Sequence, residues 1–150
     1  MKRWAYMKHL AVMVLLVAVC LCGCETQPVA LSNSKPAPPS HLLGQPAKAV
    51  SSMEQGGQVV ITRDSGFAGS VGLLKIFVDG TPVAKLSRYE RYEVLLSEGE
   101  HLLGVIPNSN LMGISVHETP VDVRIGQTYY FRVGLNSENG LTIQRSAFTR

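Results

Sequence analysis

The sequence predicts an all-β fold, a single antiparallel β-sandwich of seven or eight strands that follows a signal peptide and a proline-rich linker. Apolar and polar residues alternate over residues 58–150, and turn residues recur there every eight to twelve positions. No stretch of this region has the period of an amphipathic helix. The 150-residue chain is long enough for one such two-sheet core.

Residues 1–23 have the layout of a signal peptide. Lys2, Arg3 and Lys8 precede an uninterrupted apolar run of 13 residues, 10–22. A basic start followed by a short apolar run is typical of secretory leaders, whereas a membrane-spanning helix needs about 20 apolar residues. The sequence therefore predicts a leader that is removed from the mature protein.

All three cysteines lie within residues 20–24, which excludes a disulfide-stapled domain. Leu21, Cys22 and Gly23 followed by Cys24 resemble the lipobox of bacterial lipoproteins, in which an aliphatic and two small residues precede the acylated cysteine. The resemblance implies cleavage after Gly23, a diacylglycerol thioether on the Cys24 sulfur and a further acyl chain, such as palmitate, on the freed amine. Several acyl chains anchor a protein stably, because each buried CH₂ contributes about 0.8 kcal/mol.

The expected location is the cell envelope. In Gram-negative lipoproteins an Asp directly after the acylated cysteine tends to retain the protein at the inner membrane, and this chain has Glu25 at that position. The resemblance therefore implies a protein that Cys24 holds at the outer membrane, facing the periplasm.

Residues 24–57 are predicted to be the lipidated Cys24 followed by a flexible, proline-rich tether. Five of the eight prolines lie here, with Ser, Ala, Gln and Gly between them and hardly an aromatic residue. Proline lacks an amide donor and favours extended conformations in the residue before it, a composition typical of semi-extended linkers. A second interpretation stays open: Leu42-Leu43 and residues 50–53 could dock on the domain as a short helix or an added edge strand.

The first half of the domain contains three predicted strands. Residues 58–64 open with consecutive branched apolar residues, and residues 73–79 alternate apolar with polar side chains. Asp79-Gly80 tolerates the positive φ of a tight hairpin turn, which leads into a strand over residues 82–86. Pro82 at the start of that strand predicts an edge position, because proline donates no ladder hydrogen bond.

The second half of the domain adds the remaining strands, separated by turn residues. In the first of them Tyr92, Val94 and Leu96 share one face. The predicted strands cover residues 92–96, 101–106, 116–125, 129–135 and 141–147.

Turn and core motifs recur through the domain in a recognisable series. They are residues 59–63, 67–69, 76–80, Val83, Leu86, Tyr92, Leu95 or Leu96, Gly99, 101–102 and 125–132. The series resembles an uncharacterised domain family of bacterial envelope lipoproteins, a domain of unknown function related in pattern to PEGA and transthyretin-like modules. The resemblance covers roughly residues 58–146 and implies a signal peptide, a linker and one small β-sandwich. It implies no chemistry, since such motifs specify only a fold.

Nothing in the sequence predicts catalytic residues, a metal site or a cofactor. His101 and His117 lack metal-ligand spacing, and His117-Glu118 does not extend to the HExxH motif. A Gly-x-Ser-x-Gly nucleophile elbow is also missing. The sequence therefore predicts a protein that is not an enzyme.

The charge balance argues against a nucleic-acid partner. Three of the 14 basic residues lie in the leader, and the remaining 11 balance the 11 acidic residues. Binding to phosphates requires clustered lysines and arginines. The expected partners are the membrane, through the lipid at Cys24, and another envelope protein.

The candidate interaction surface consists of Arg63, Phe67, Tyr89, Arg91 and Tyr92. Tyr and Arg are favoured at protein interfaces, so we expect these side chains to contact the partner. A structural alternative for residues 88–93 is a solvated hairpin connection whose charges suppress edge pairing. A functional alternative is a glycan or small-ligand site that uses the same tyrosines and the loop 64–72.

Overall fold

A computed structural model describes residues 26–65, 72–109, 115–136 and 140–147. The predicted leader, the lipobox residues Leu21, Cys22 and Gly23, the acylation site Cys24, and Phe67 lie outside the described residues. The described chain forms nine strands, β1 (Lys35–Pro36), β2 (Gly56–Arg63), β3 (Leu74–Val78), β4 (Thr81–Leu86), β5 (Glu90–Ser97), β6 (Gly99–Pro107), β7 (His117–Val123), β8 (Thr128–Asn136) and β9 (Gly140–Arg145). Two short 3-10 helices cover Leu31–Asn33 and Pro39–His41. Neither they nor any other described helix is long and apolar enough to cross a membrane.

The strands form two sheets that pack as a β-sandwich, which confirms the predicted fold class. One sheet has the order β1-β5-β2-β8-β9 and the other β4-β3-β6-β7. All eight predicted strands are present, and the ninth, β1, comes from the segment predicted as a tether. Most pairs are antiparallel, but β1 pairs with β5, and β2 with β8, in parallel.

The core fills the space between the two sheets. Alternation along each strand turns one set of side chains inward, so that Val59 and Ile61 of β2 are fully buried. The face predicted for β5 is confirmed: Tyr92 and Leu96 are buried, and Val94 packs against the same core. Each large apolar side chain removed from water contributes about 1.5–3 kcal/mol, so this layer supplies most of the stabilisation.

The tight turn and the edge position of Pro82 occur as the sequence predicts, and a second proline, Pro120, also lies in an edge strand. Asp79 and Gly80 adopt positive φ angles of 49° and 75° between β3 and β4, which both residue types tolerate. Pro82 lies in β4 and Pro120 in β7, the two edge strands of the four-stranded sheet. An edge strand tolerates proline because an amide on its outer side has no strand to donate to.

Residues 26–55, named the arm from here on, lie along the sandwich instead of extending away from it. Near its start Gln27 forms a bridge with Ser65, and further along Leu42 and Ala49 form bridges with β4 and β5. Of the two interpretations of this segment, docking on the domain therefore describes the arm, and a flexible tether does not.

The prolines of the arm do not prevent its docking, because amides on either side supply the donors. The amide of Lys35 donates to the Tyr89 carbonyl at 2.8 Å, and that of Ala37 donates to the Arg91 carbonyl at 2.9 Å. Pro36 lies between these two donors, at a position where the β1 to β5 pairing needs no N–H. A composition typical of linkers is thus compatible with an edge strand.

Candidate functional site

The arm covers the outer edge of β5 in two places and leaves the middle open. β1 pairs with the first residues of β5. At the other end of the strand the amide of Val50 donates to the Leu95 carbonyl at 3.0 Å. Between these contacts the arm turns towards the other sheet, where the amide of Leu43 donates to the Val83 carbonyl at 2.9 Å. The detour opens a groove beside the centre of β5, named the β5 groove from here on.

The backbone of Glu93 faces this groove. Tyr89, Arg91 and Leu95 all direct their carbonyls away from β2 and towards the arm. Glu93 lies two residues from Arg91 and two from Leu95, so its N–H and C=O point the same way as theirs. They therefore also point away from Val60, its partner on β2. No backbone hydrogen bond connects Glu93 to the described part of the arm. One donor and one acceptor of the sheet edge are therefore free for another molecule.

The β5 groove is mainly apolar and has a volume of about 540 Å³. One wall is the arm and the other is β5, with a few polar groups at the border. Its lining comprises Pro36, Ala37, Leu42, Gly44, Gln45, Ala49, Val50, Gln58 and residues 91–95. A cleft of this kind can hold apolar side chains while the edge of β5 binds a backbone.

Polar side chains at the border of the groove neutralise one another. The Glu93 carboxylate accepts hydrogen bonds from Arg91 and from Gln58, the latter at 3.1 Å. Arg91 also donates to the Ser34 carbonyl at 2.6 Å, which fixes the arm to β5. A second, smaller pocket of about 370 Å³ shares Gln58, Arg91 and Glu93 and continues over the outer face of the sheet towards Tyr130.

A buried arginine lies at the end of β2. Arg63 donates to the carbonyls of Gly72 at 2.8 Å and of Leu86 at 2.6 Å, which connects the two sheets. Burial, followed by the positive charge of Arg88, lowers the pKa of Arg63, and the negative charge of Glu90 opposes this shift. The side chain therefore has a structural role inside the sandwich.

Glu90 connects the arm to the sandwich. Its Oε2 accepts from the Ser87 amide at 2.9 Å and lies 2.8 Å from Nδ1 of His41 in the arm. Glu90 is 4% exposed. A carboxylate this deep needs such partners, because desolvating a charge is costly.

Asp64 lies under the first residues of the arm. Burial raises the pKa of its carboxyl, and the charge of Arg132 and the amide of Val29 in the arm oppose the shift. Nε of Arg132 lies 3.0 Å from Oδ2 of Asp64, close enough for an ion pair but without hydrogen-bond geometry. The space beside this pair is tight, since a Cβ on Gly134 would lie 2.7 Å from Oγ1 of Thr26 and 2.9 Å from Oδ2 of Asp64.

His101 is a buried connector between two turns. Its Nδ1 lies 2.8 Å from Oδ2 of Asp79, and its Nε2 lies 2.9 Å from the Ser97 carbonyl oxygen. Burial alone would raise the pKa of Asp79, but the Leu102 amide, His101 and the charge of Lys48 together lower it. Both ring nitrogens of His101 thus face acceptors of the fold. Within the described chain no group of three or more His, Cys, Asp or Glu side chains could hold a metal ion.

The structure does not bring the five candidate interaction residues together on one exposed surface. Arg63 is 3% exposed and Tyr92 is 7% exposed, so the prediction that they contact a partner is wrong for these two side chains. Arg63 spans the sheets, and alternation turns Tyr92 inward. Tyr89, with a φ of 63°, is 46% exposed in the turn before β5, and Arg91 is half-buried beside the β5 groove. Phe67 lies outside the described residues.

Sequence reasoning missed the groove residues of the arm and the backbone of Glu93. One signal was present: the apolar pair Leu42-Leu43 within a polar, proline-rich stretch. The free edge at Glu93 carries no such signal, because it depends on where the arm leaves β5.

Comparisons of the chain with protein-family models, with curated proteins and with solved structures found no match. The function is therefore argued from the site itself.

Proposed function

We propose that this chain is a non-enzymatic envelope lipoprotein, anchored through Cys24 at the outer membrane and facing the periplasm, whose β-sandwich binds an extended segment of another envelope protein. The leader and the lipobox-like residues 21–24 support the anchor. The β5 groove supports the interaction. The family resemblance, which implies an envelope lipoprotein with a signal peptide and one β-sandwich, agrees with this proposal.

The free backbone of Glu93 is the observation that carries the interaction. Extended peptides add to exposed strand edges through main-chain hydrogen bonds, and pockets beside the edge select their side chains. At Glu93 the arm leaves one donor and one acceptor of the edge open. A partner segment would bond there and place apolar side chains in the β5 groove, against residues such as Leu42 and Val50.

Two substitutions of Glu93 separate the backbone from the side chain. Glu93→Pro removes the N–H that faces the groove and leaves the pairing with β2 intact, since proline is tolerated on an edge strand with its nitrogen facing outward. Glu93→Ala removes only the carboxylate. We expect the Pro variant to lose the partner and the Ala variant to keep it.

The measurement is photo-crosslinking in intact cells. A photoreactive side chain at Gln45 lines the groove, and one at Gln144, exposed on β9, serves as the matched control. A defined adduct at position 45 that is absent at position 144 and lost in Glu93→Pro supports the proposal. An adduct of equal yield in Glu93→Pro overturns it, provided that all variants have the same urea midpoint of unfolding.

The anchor has its own test. Cys24→Ala removes the thiol that receives the diacylglycerol, so we expect an unprocessed precursor that carries no lipid. Cys22→Ala keeps a small residue before Gly23 and should be processed as in the wild type. Unchanged processing of Cys24→Ala would contradict the anchor.

A glycan or small-ligand module is the second candidate function. The volume of the β5 groove favours it, because small-molecule sites occupy about 300–1,000 Å³. Against it, the Tyr92 ring is buried and cannot stack on a sugar. Binding of a glycan fragment to the wild type, together with loss of binding in Glu93→Ala, would favour this candidate over an extended peptide.

A further inference from the structure

The arm begins almost at the proposed acylation site. Thr26 is docked on β8, where its hydroxyl donates to the Leu135 carbonyl at 2.7 Å. Only Glu25 separates Thr26 from Cys24. Two residues span at most about 7 Å, so the chain can carry an acyl group on Cys24 no further than about that distance from Thr26.

We propose that the sandwich stands on the membrane with one defined end, the end at which Thr26 is docked, and that a lipid surface is what this end contacts. This inference rests on the proposed acylation of Cys24. We name it the near end: β2, β4, β6 and β8 finish there, and β3, β5, β7 and β9 begin there. The opposite end, which carries the turn at Asp79 and Gly80, is the far end.

The distribution of charge agrees with this orientation. At the far end, exposed acidic side chains outnumber exposed basic ones by four to three; they are Glu54, Glu98, Glu100 and Asp122 against Lys48, Arg124 and Arg145. At the near end the exposed charged side chains are Lys35, Arg88 and Glu118, and Asp64 is buried there. Glu25 and Glu138 lie outside the described residues and are not counted. An anionic lipid surface repels the far end and attracts Arg88.

Two exposed side chains of the near end suit a membrane interface. Tyr89 is 46% exposed in the turn before β5, and Val116 is 42% exposed just before β7. Tyrosine is favoured at the level of lipid headgroups, where its ring is in contact with the acyl chains and its hydroxyl with water. Ile125, at the far end, is 50% exposed. Exposure alone therefore does not determine which end contacts the lipid. The short connection between Thr26 and Cys24 does.

A single tryptophan can report which end contacts lipid. Trp4 is the one tryptophan of the chain and lies in the predicted leader, so the mature protein would have none. Tyr89→Trp places a reporter at the near end with little change of shape, and Glu98→Trp is the matched reporter at the far end. Both proteins are prepared as the mature, lipidated form in vesicles of phosphatidylethanolamine and phosphatidylglycerol that contain brominated lipid.

We expect the tryptophan fluorescence of the Tyr89→Trp protein to be quenched and shifted to the blue on these vesicles, and that of Glu98→Trp to remain as in solution. Equal or stronger quenching of Glu98→Trp would overturn the orientation. Flotation of each protein with the vesicles is measured alongside. A protein that floats but shows no difference between the reporters refutes the orientation alone, whereas a protein that does not float refutes the anchor and the orientation together.

A longer connection gives the matched control. Ten Gly and Ser residues inserted after Glu25 lengthen the link by roughly 18 Å on average. We expect the insertion to abolish the quenching in Tyr89→Trp while flotation is unchanged. Quenching that survives the insertion would overturn the claim that the short connection holds the near end on the lipid.

Discussion

Strand β2 and the arm both bond along the same sheet, yet different forces hold them. β2 is paired on both sides, with β5 and β8, and its Val59 and Ile61 are fully buried. The arm buries none of its large apolar side chains completely: Leu42 and Leu43 are 48% and 42% exposed. Ala37 packs against the core and Pro46 is buried, but most of its other contacts are separate hydrogen bonds, each worth about 0.5–1.5 kcal/mol. The difference teaches that the arm can open while the sandwich stays folded, because local stability follows buried apolar contact.

The strongest test of this comparison is a matched pair of truncations. Ile61→Ala leaves a cavity in a packed core, so we expect it to lower the free energy of unfolding by about 2–5 kcal/mol. Leu42→Ala removes an exposed side chain of the arm and should change it by less than about 0.5 kcal/mol. Urea unfolding of both variants gives the two values. Equal losses would mean that the arm belongs to the same cooperative core.

A substitution beneath the arm should loosen it. Gly134→Ala places a methyl group within 2.7 Å of Oγ1 of Thr26, and we expect a cost of about 1–3 kcal/mol for this overpacking. Since the arm is the part that can move, the amide of Gln27, which bonds to Ser65, should lose protection from hydrogen exchange. The amides of β2 should keep theirs. If the amides of β2 lost protection before the amide of Gln27, β2 would be the less stable region, contrary to the prediction.

A smaller effect is expected at the contact between His41 and Glu90. His41→Ala removes the group 2.8 Å from Oε2 of Glu90, which should cost about 0.5–1.5 kcal/mol. We expect faster hydrogen exchange at Lys35 and Ala37, the amides that pair with β5. His117→Ala, at a half-buried histidine outside the arm, is the control and should leave both amides unchanged. An equal effect of the two variants would argue against a specific role for His41.

The smallest effect concerns two carboxyls with pKa shifts of opposite sign. Lowering of the Asp79 pKa in the folded state means that the unfolded chain takes up the proton first as the pH falls. The stability from Asp79 is therefore complete above its ordinary pKa and is lost as the pH falls through the lowered folded value. Burial raises the pKa of Asp64, so this group costs stability as the pH rises from its ordinary value through the raised one.

Unfolding measured from about pH 2 to pH 7 checks both signs. We expect the Asp79→Asn variant to lose less stability than the wild type as the pH falls below about 4. Asp64→Asn should instead reduce the decrease in stability that occurs as the pH rises above about 4. Identical pH profiles of the two variants would contradict the opposite shifts. The Asp79→Asn variant can keep the positive φ of that turn, since asparagine tolerates it as aspartate does.

The sandwich could be predicted from the sequence because its strands carry two local signals. Alternation marks the inward face, as for Tyr92 and Leu96, and the pair Asp79-Gly80 marks a turn. The conformation of the arm could not be predicted in this way. Its hydrogen bonds reach strands that lie far along the chain, and its prolines give the same composition to a free linker and to a docked one. The backbone contacts of the arm with the sandwich, such as the pairing of Lys35 and Ala37 with β5, distinguish the two.

The candidate site was harder to predict than the fold. Arg63 and Tyr92 belong to residue types that are common at interfaces, but alternation alone decides that these two point inward. The free edge at Glu93 is a property of two distant segments, since it exists only where the arm leaves β5 for β4. No residue type in a sequence marks a backbone site of this kind.

The contact between Thr26 and Leu135 spans 109 residues. Synthesis proceeds from the N terminus at about 5–20 residues per second, so Leu135 is made roughly 5–20 s after Thr26. During that interval the start of the arm has no partner on β8. Completion of β8 then closes the arm over Asp64. The topology thereby imposes an order on folding, in which the start of the arm closes only after β8 has been made.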